Sequence, residues 1–234
     1  IFIFFLKKAE EVIVNSIAFK KEIDKKFNIK SKVIYNPFDF NLIKKKSTIK
    51  LKNRKFKKNT LKLLTIGRLT DQKDHKTLIK AIQIASKKIN ISAIIIGKGF
   101  LKNSLNNLIN KFNLQKNVKI VGYKKNPFNF IKASDLTILT SKFEGHPNVL
   151  VEAQFLKKYI ISTDCPTGPR EILGNGKFGK LIKVGDYKSL SRIIVNYKLT
   201  SKIQKQINDG FNQHTKYDLN KNCKKYQKLI LKHT

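Results

Sequence analysis

The sequence predicts a doubly wound α/β fold, a parallel sheet with helices on both faces, and two observations predict it. From Leu61 onward, apolar runs of strand length are each followed by a turn and a helix-length amphipathic stretch, the alternation expected of a parallel sheet covered by helices. The chain has 234 residues, 41% of them hydrophobic, which is enough to bury a sizeable core and excludes a disordered tail protein.

The elements follow in order. The first forty residues read as the end of something larger. In them Val12-Ile13-Val14 is a strand, Asn15-Ser16 caps a helix running to about Phe27, and Asn36-Pro37 ends regular structure, since proline restricts the residue before it. Residues 41–60 form a basic, solvated connector: Lys44, Lys45, Lys46, Lys50, Lys52, Arg54, Lys55, Lys57 and Lys58 occur there without an acid. Residues 61–200 carry the repeating pattern, with strands at 61–66, 91–96, 118–121, 136–139, 159–162 and 181–184. Helices are expected at 76–88, 101–112, 127–133, 149–155 and 189–197, and residues 201–234 continue as one long polar helical segment.

Fifty Lys and Arg against fifteen Asp and Glu leave a net charge of +35, yet only Arg54, Arg68, Arg170 and Arg192 are arginines. Evolved readers of nucleic acid favour the bidentate guanidinium, so a surplus of lysine reads as compositional background. It accompanies abundant Ile, Asn and Phe and a lack of Met and Trp. No specific nucleic acid is expected as partner, although an anionic membrane surface would attract this charge more weakly as salt rises. Cys165 and Cys223 make no disulfide framework, which points to a reducing compartment. The opening apolar run, residues 1–6, is far shorter than the roughly 20 residues that span a bilayer, and it lacks the basic flank of a signal peptide. With Ile first and no Met anywhere, the sequence reads as a fragment.

In doubly wound sheets ligands bind beyond the carboxyl ends of the strands, so residues just after each apolar run carry the chemistry. Gly67-Arg68-Leu69 with Lys73 offers a close backbone approach and two cations, suited to a diphosphate. Gly97-Lys98-Gly99 lacks the third glycine of a dinucleotide fingerprint; it reads as a tight strand-to-helix turn that can wall a nucleotide pocket. The strongest signal runs from Ser141 to Ala153, where Glu144 lies on a Gly/Pro loop and Glu152 lies within a helix that Asn148 can cap. Amides near Asn148 and Val149 meet a phosphate there, and the carboxylates accept hydrogen bonds from hydroxyls, as a sugar nucleotide requires. Glu144, Glu152 and Glu171 are the only glutamates between Leu61 and Thr200, which sets them apart from surface decoration. His146 and Pro147 complete the pocket wall, the histidine either packing locally or reaching donor or acceptor. His75 reads as a capping or packing residue, His214 and His233 have no ligand spacing, and Cys165 is structural.

Together, Gly67-Arg68-Leu69 with Gln72-Lys73, the Glu144/Glu152 pair in Phe143-Glu144-Gly145-His146-Pro147-Asn148-Val149-Leu150-Val151-Glu152-Ala153, and Ile34-Tyr35-Asn36-Pro37 resemble the retaining GT-B glycosyltransferases of the family-four type. The stretch Thr163-Asp164-Cys165-Pro166-Thr167-Gly168-Pro169-Arg170-Glu171 resembles the subgroup that builds bacterial surface polysaccharides and lipid-linked oligosaccharides.

The resemblance implies a C-terminal Rossmann-like domain that holds a nucleotide-diphosphate sugar, UDP-linked, as donor. It implies that Arg68 and Lys73 neutralise the diphosphate, that Glu144 lies by the sugar as the catalytic group, and that Glu152 holds the ribose. No metal or other cofactor is expected, and the acceptor is a glycan or a polyprenyl-linked glycan. The location is cytoplasmic, on the inner face of the cell membrane. Residues 1–40 would be the remnant of an N-terminal acceptor domain and hinge. Two other readings stand beside this one: a basic nucleic-acid-binding module, which leaves the glutamates unexplained, and a non-catalytic subunit that binds nucleotide sugars.

Overall fold

The computed structural model describes residues 2–51 and 56–232. The expected connector charges Lys52, Arg54 and Lys55, and the tail histidine His233, lie outside the described residues. The chain opens with α1 (Phe2–Lys8), β1 (Val12–Val14), α2 (Ile17–Phe27) and β2 (Ser31–Val33). β1 and β2 pair in parallel across α2, and Ser16 caps that helix by accepting the Phe19 N–H at 3.1 Å. Part of the expected connector is instead a helix, α3 (Phe40–Ser47). Asp39 caps it, Ile43 and Ser47 are buried, and Ile43 with Phe40 packs into the core, which docks what the lysine count alone marks as solvated.

The main sheet follows. Its members are β3 (Leu61–Ile66), α4 (His75–Ala85), β4 (Ile91–Ile96), α5 (Lys102–Lys111), β5 (Val118–Ile120), α6 (Phe128–Ala133), β6 (Leu136–Leu139), α7 (Asn148–Phe155), β7 (Tyr159–Thr163), α8 (Pro169–Ile172), β8 (Lys180–Ile182) and α9 (Tyr187–Val195). The strands are all parallel, in the order β5-β4-β3-β6-β7-β8. Strand residues alternate faces. Leu63, Ile91, Ala93, Ile95, Leu136, Ile138 and Ile161 share one core with α4, α5 and α9. Leu64, Ile94, Ile96, Leu139 and Ile160 share the other with α6 and α7. Burial on both faces explains why the strands read as continuous apolar runs, and each buried Leu or Ile contributes about 1.5–3 kcal/mol.

The expected single tail helix is two helices, α10 (Ser201–Phe211) and α11 (Leu219–Ile230), separated by a 3-10 turn at Asn212–Tyr217. The break has a tertiary cause. Phe38 donates its N–H to Tyr217 O at 2.8 Å and accepts from Leu219 N at 3.1 Å, an exchange that holds Asp218 extended and cannot occur in a continuous helix. No helix among the described residues is long and apolar enough to cross a membrane.

Because β3 is central, the chain winds one way through β4 and β5 and the other way through β6, β7 and β8. The connections leaving β3 and β6 therefore diverge, opening a crevice at their carboxyl ends. Of the expected ligand residues, Gly67, Arg68, Lys73 and those from Glu144 to Glu152 lie on those two connections, while Gly97 and Gly99 lie on the one after β4.

Candidate active site

The loop after β3 is held by its own backbone and by its neighbours. Gly67 N donates to Ile96 O at 3.0 Å and Leu69 N to Lys98 O at 2.9 Å, binding it to the loop after β4. A side chain at Gly97 would place Cβ 1.9 Å from Gly67 O, and one at Gly99 would come 2.4 Å from Leu69 O. These two glycines thus allow the β3 and β4 loops to touch. That close approach is the structural use of Gly97-Lys98-Gly99.

His75 is buried beneath the β3 loop, with Nε2 3.1 Å from Arg68 O, and burial lowers its pKa. It is a packing residue that anchors Arg68's backbone. The Arg68 side chain itself is exposed, Nη2 reaching Gln72 Oε1 at 3.3 Å. Gln72 spans the crevice: Nε2 donates to Phe143 O at 3.0 Å, and its carbonyl accepts from Lys142 N at 2.8 Å.

Lys73 and Glu144 meet directly, with Nζ 2.5 Å from Oε1, and their side chains are only 16% and 6% exposed. Ser141 Oγ donates to the same carboxylate oxygen at 2.5 Å. Ser141 is itself fully buried, its carbonyl accepting from Thr163 Oγ1 at 2.6 Å. The pair expected to act on diphosphate and sugar is therefore engaged with itself, two opposite charges joined across the crevice. Sequence reasoning passed over Ser141 as a partner; its place two residues beyond β6 and three before Glu144 was the available signal.

α7 begins at Asn148, but Asn148 does not cap it. Pro147 occupies the capping position without a side-chain bond, and Asn148 Oδ1 accepts instead from Asn36 Nδ2 at 2.7 Å. The amides of Asn148 and Val149 are the first two of the helix, where no intrahelical acceptor exists. Glu152 lies one turn later; its main-chain carbonyl accepts from Leu156 N at 3.0 Å, but its carboxylate makes no hydrogen bond or ion pair with any described residue. Burial alone pushes its carboxyl up from 4.5 to about 7. A carboxylate left without a partner in a half-buried position costs stability.

Pro147 and His146 are buried. The histidine ring packs against Tyr35 and Tyr217, with centroids 6.0 and 5.3 Å apart. Both of its nitrogens lack partners, and burial lowers its pKa.

The three glutamates divide. Glu171 turns away from Lys73 toward the first forty residues, accepting from Ile17 N, Ala18 N and Tyr35 Oη. Arg170 pairs with Asp164, Nε to Oδ1 at 3.0 Å. Both cysteines are free, and burial pushes the Cys165 thiol up to about 11. Among the described residues no group of three or more His, Cys, Asp or Glu has the arrangement of a metal site.

The chain has counterparts among known proteins. The sequence model of glycosyl transferases group 1 matches residues 46–210. An uncharacterised glycosyltransferase of Methanocaldococcus jannaschii is 33% identical over 97% of this chain and 64% of its own length. The N-acetylgalactosamine-N,N'-diacetylbacillosaminyl-diphospho-undecaprenol 4-alpha-N-acetylgalactosaminyltransferase of Campylobacter jejuni is 32% identical over 78% of this chain and 49% of its own. This chain therefore spans between about half and two thirds of the length of these two curated relatives. Among solved structures, Anabaena HepE in complex with UDP and glucose superposes with a TM-score of 0.84 at 23% identity, over 96% of this chain and 64% of that one. That likeness is one of fold.

Proposed function

We propose, from the premise that this chain belongs to the glycosyl transferases group 1 family, that it carries the donor side of a retaining glycosyltransferase. The donor is a nucleoside-diphosphate hexose or N-acetylhexosamine, UDP-linked, and the acceptor a growing, lipid-linked surface glycan. The observation that carries this reading is the convergence of Arg68 and Lys73 from the β3 connection with Glu144 and the start of α7 from the β6 connection. The Campylobacter relative, whose name specifies a diphospho-undecaprenol-linked acceptor, supports the acceptor class. The UDP bound in HepE supports the donor class.

In this reading the donor diphosphate competes with Glu144 for Lys73. Arg68 and Lys73 take the phosphate oxygens, with the amides of Asn148 and Val149 on the other side. Glu144, released from Lys73 but still held by Ser141, faces the sugar, and Glu152 accepts from the ribose hydroxyls. The bond from the anomeric carbon to the diphosphate oxygen breaks, and its electron pair stays with the diphosphate. The acceptor oxygen bonds to the anomeric carbon on the same face, and its proton passes to the departing diphosphate oxygen. Cations already fixed at the phosphates stabilise the charge that develops on the leaving group.

Calorimetric titration with UDP, GDP and ADP sugars at moderate salt tests the assignment. One nucleotide should bind selectively, and Arg68→Ala and Glu152→Ala should each weaken it by about tenfold or more, as loss of a hydrogen-bonded charge does. Equal binding of every polyanion, indifferent to Glu152→Ala, would replace this reading with nonspecific attraction to the +35 charge.

A further inference from the structure

We propose that Glu171 is a positioning residue: a latch that fastens the first forty residues to the nucleotide half and thereby sets the resting position of the Glu144 loop and the start of α7. The meaning given to Glu144 rests on the glycosyltransferase reading; the latch itself rests on geometry.

Glu171 lies on α8, yet its carboxylate closes the far end of another helix. Oε1 accepts from Ile17 N at 3.2 Å and Oε2 from Ala18 N at 3.1 Å. These are the first two residues of α2, whose amides have no intrahelical acceptor. Ser16 satisfies the third, at Phe19, so a local cap and a distant carboxylate share the work, and the negative charge sits at the favourable end of the helix dipole. Oε1 also accepts from Tyr35 Oη at 2.7 Å. The next residue, Asn36, grips α7 through Asn148, so Tyr35 and Asn36 together hold the starts of α8 and α7.

From the turn before α8 the linkage runs on to Glu144 through direct hydrogen bonds, the Thr167 hydroxyl donating to Glu144 O at 2.8 Å beside a backbone pair. Glu144 N donates to Pro166 O at 2.6 Å, and Thr167 N donates back to Glu144 O at 2.8 Å. A side chain at Gly168, the residue before α8, would place Cβ 2.5 Å from Gly145 O. Nothing soft separates the two segments, so movement of α8 is transmitted to residues 144–147. When the latch is closed, the loop is held where Glu144 meets Lys73 and Ser141. A donor that draws Lys73 away acts on the same loop, and linkage makes the two effects reciprocal.

Amide hydrogen exchange on the full chain, comparing wild type with Glu171→Ala, Glu171→Gln and Tyr35→Phe, tests the latch. Glu171→Ala should speed exchange about tenfold or more both at residues 17–20 and at 144–150, the scale of losing charge-assisted hydrogen bonds. The main-sheet strands should stay protected, which shows that the variant is folded. Glu171→Gln, keeping one acceptor oxygen, should fall between, and Tyr35→Phe should loosen 144–150 in the same direction. Faster exchange at 17–20 with 144–150 unchanged would reduce Glu171 to a helix cap and overturn the proposal, as would no change in either segment. A parallel arm with UDP separates the two readings: UDP without effect on wild type counts against the donor-site assignment, while the UDP-free comparison still decides the latch.

Discussion

At the scale of single residues, Glu152 is where stability and the proposed ribose contact oppose each other. Its carboxyl, pushed up to about 7 by burial, binds a proton in the folded chain that the unfolded chain has already released. Folding stability therefore falls as pH rises from about 4.5 toward 7 and stays low above that, the sign expected when the folded state binds more protons. Glu152→Gln removes the ionisation. In thermal denaturation at pH 8 it should be more stable than wild type, by up to about 3 kcal/mol on a scale of 1.36 kcal/mol per pKa unit, with no difference near pH 4. Its nucleotide affinity should nevertheless fall, because an amide is a weaker acceptor for hydroxyls than a carboxylate. Equal stability of the two proteins at pH 8 would show that the unpartnered carboxylate costs the fold nothing. The sequence marked this position by chemistry and spacing. Its lack of a partner became visible only when every neighbouring donor had been placed.

At the scale of elements, the turns after β3 and β4 work as one unit. Gly97 presses on the Gly67 carbonyl, a backbone atom that cannot rotate away. Gly97→Ala should destabilise the chain by about 3 kcal/mol, the upper part of the range for overpacking, read as a lowered denaturant midpoint. Gly145→Ala, whose added Cβ meets nothing within 4 Å, should stay within about 0.5 kcal/mol of wild type. The predicted strands fell close to the observed ones because each is a short run buried on both faces. The helix boundaries and the tail were less legible. α4 starts at His75 because Asp74 caps it, accepting from Thr77. α8 was missed because four residues show no period, and the tail helix divides where Phe38 intrudes.

At the scale of the whole molecule, the charge of +35 surrounds a site that is itself nearly neutralised, Lys73 being matched by Glu144. Lys44, Lys45 and Lys46 occupy the last turn of α3, where the helix dipole favours cations. If this face lies on an anionic membrane, replacing all three by Gln should weaken cosedimentation with vesicles rich in anionic phospholipid, by about 1 kcal/mol per lysine at low ionic strength. Undiminished cosedimentation would remove this helix from any role at a membrane. The test is independent of the proposed donor site, which lies on the β3 and β6 connections.

The sequence by itself determined the alternation of strands and helices, and with it which residues stand at strand ends, because burial on both faces of a sheet writes itself into consecutive positions. It picked out the residues of the proposed donor site for the same reason: Arg68, Lys73, Glu144 and Glu152 each follow or flank a run that local pattern can locate. The tertiary structure alone decided who meets whom. Lys73 and Glu144 are 71 positions apart, Tyr35 and Glu171 are 136, and Ala18 and Glu171 are 153. Such pairings leave no periodic trace, since they depend on which connections diverge at the centre of the sheet and on how the first forty residues pack against it.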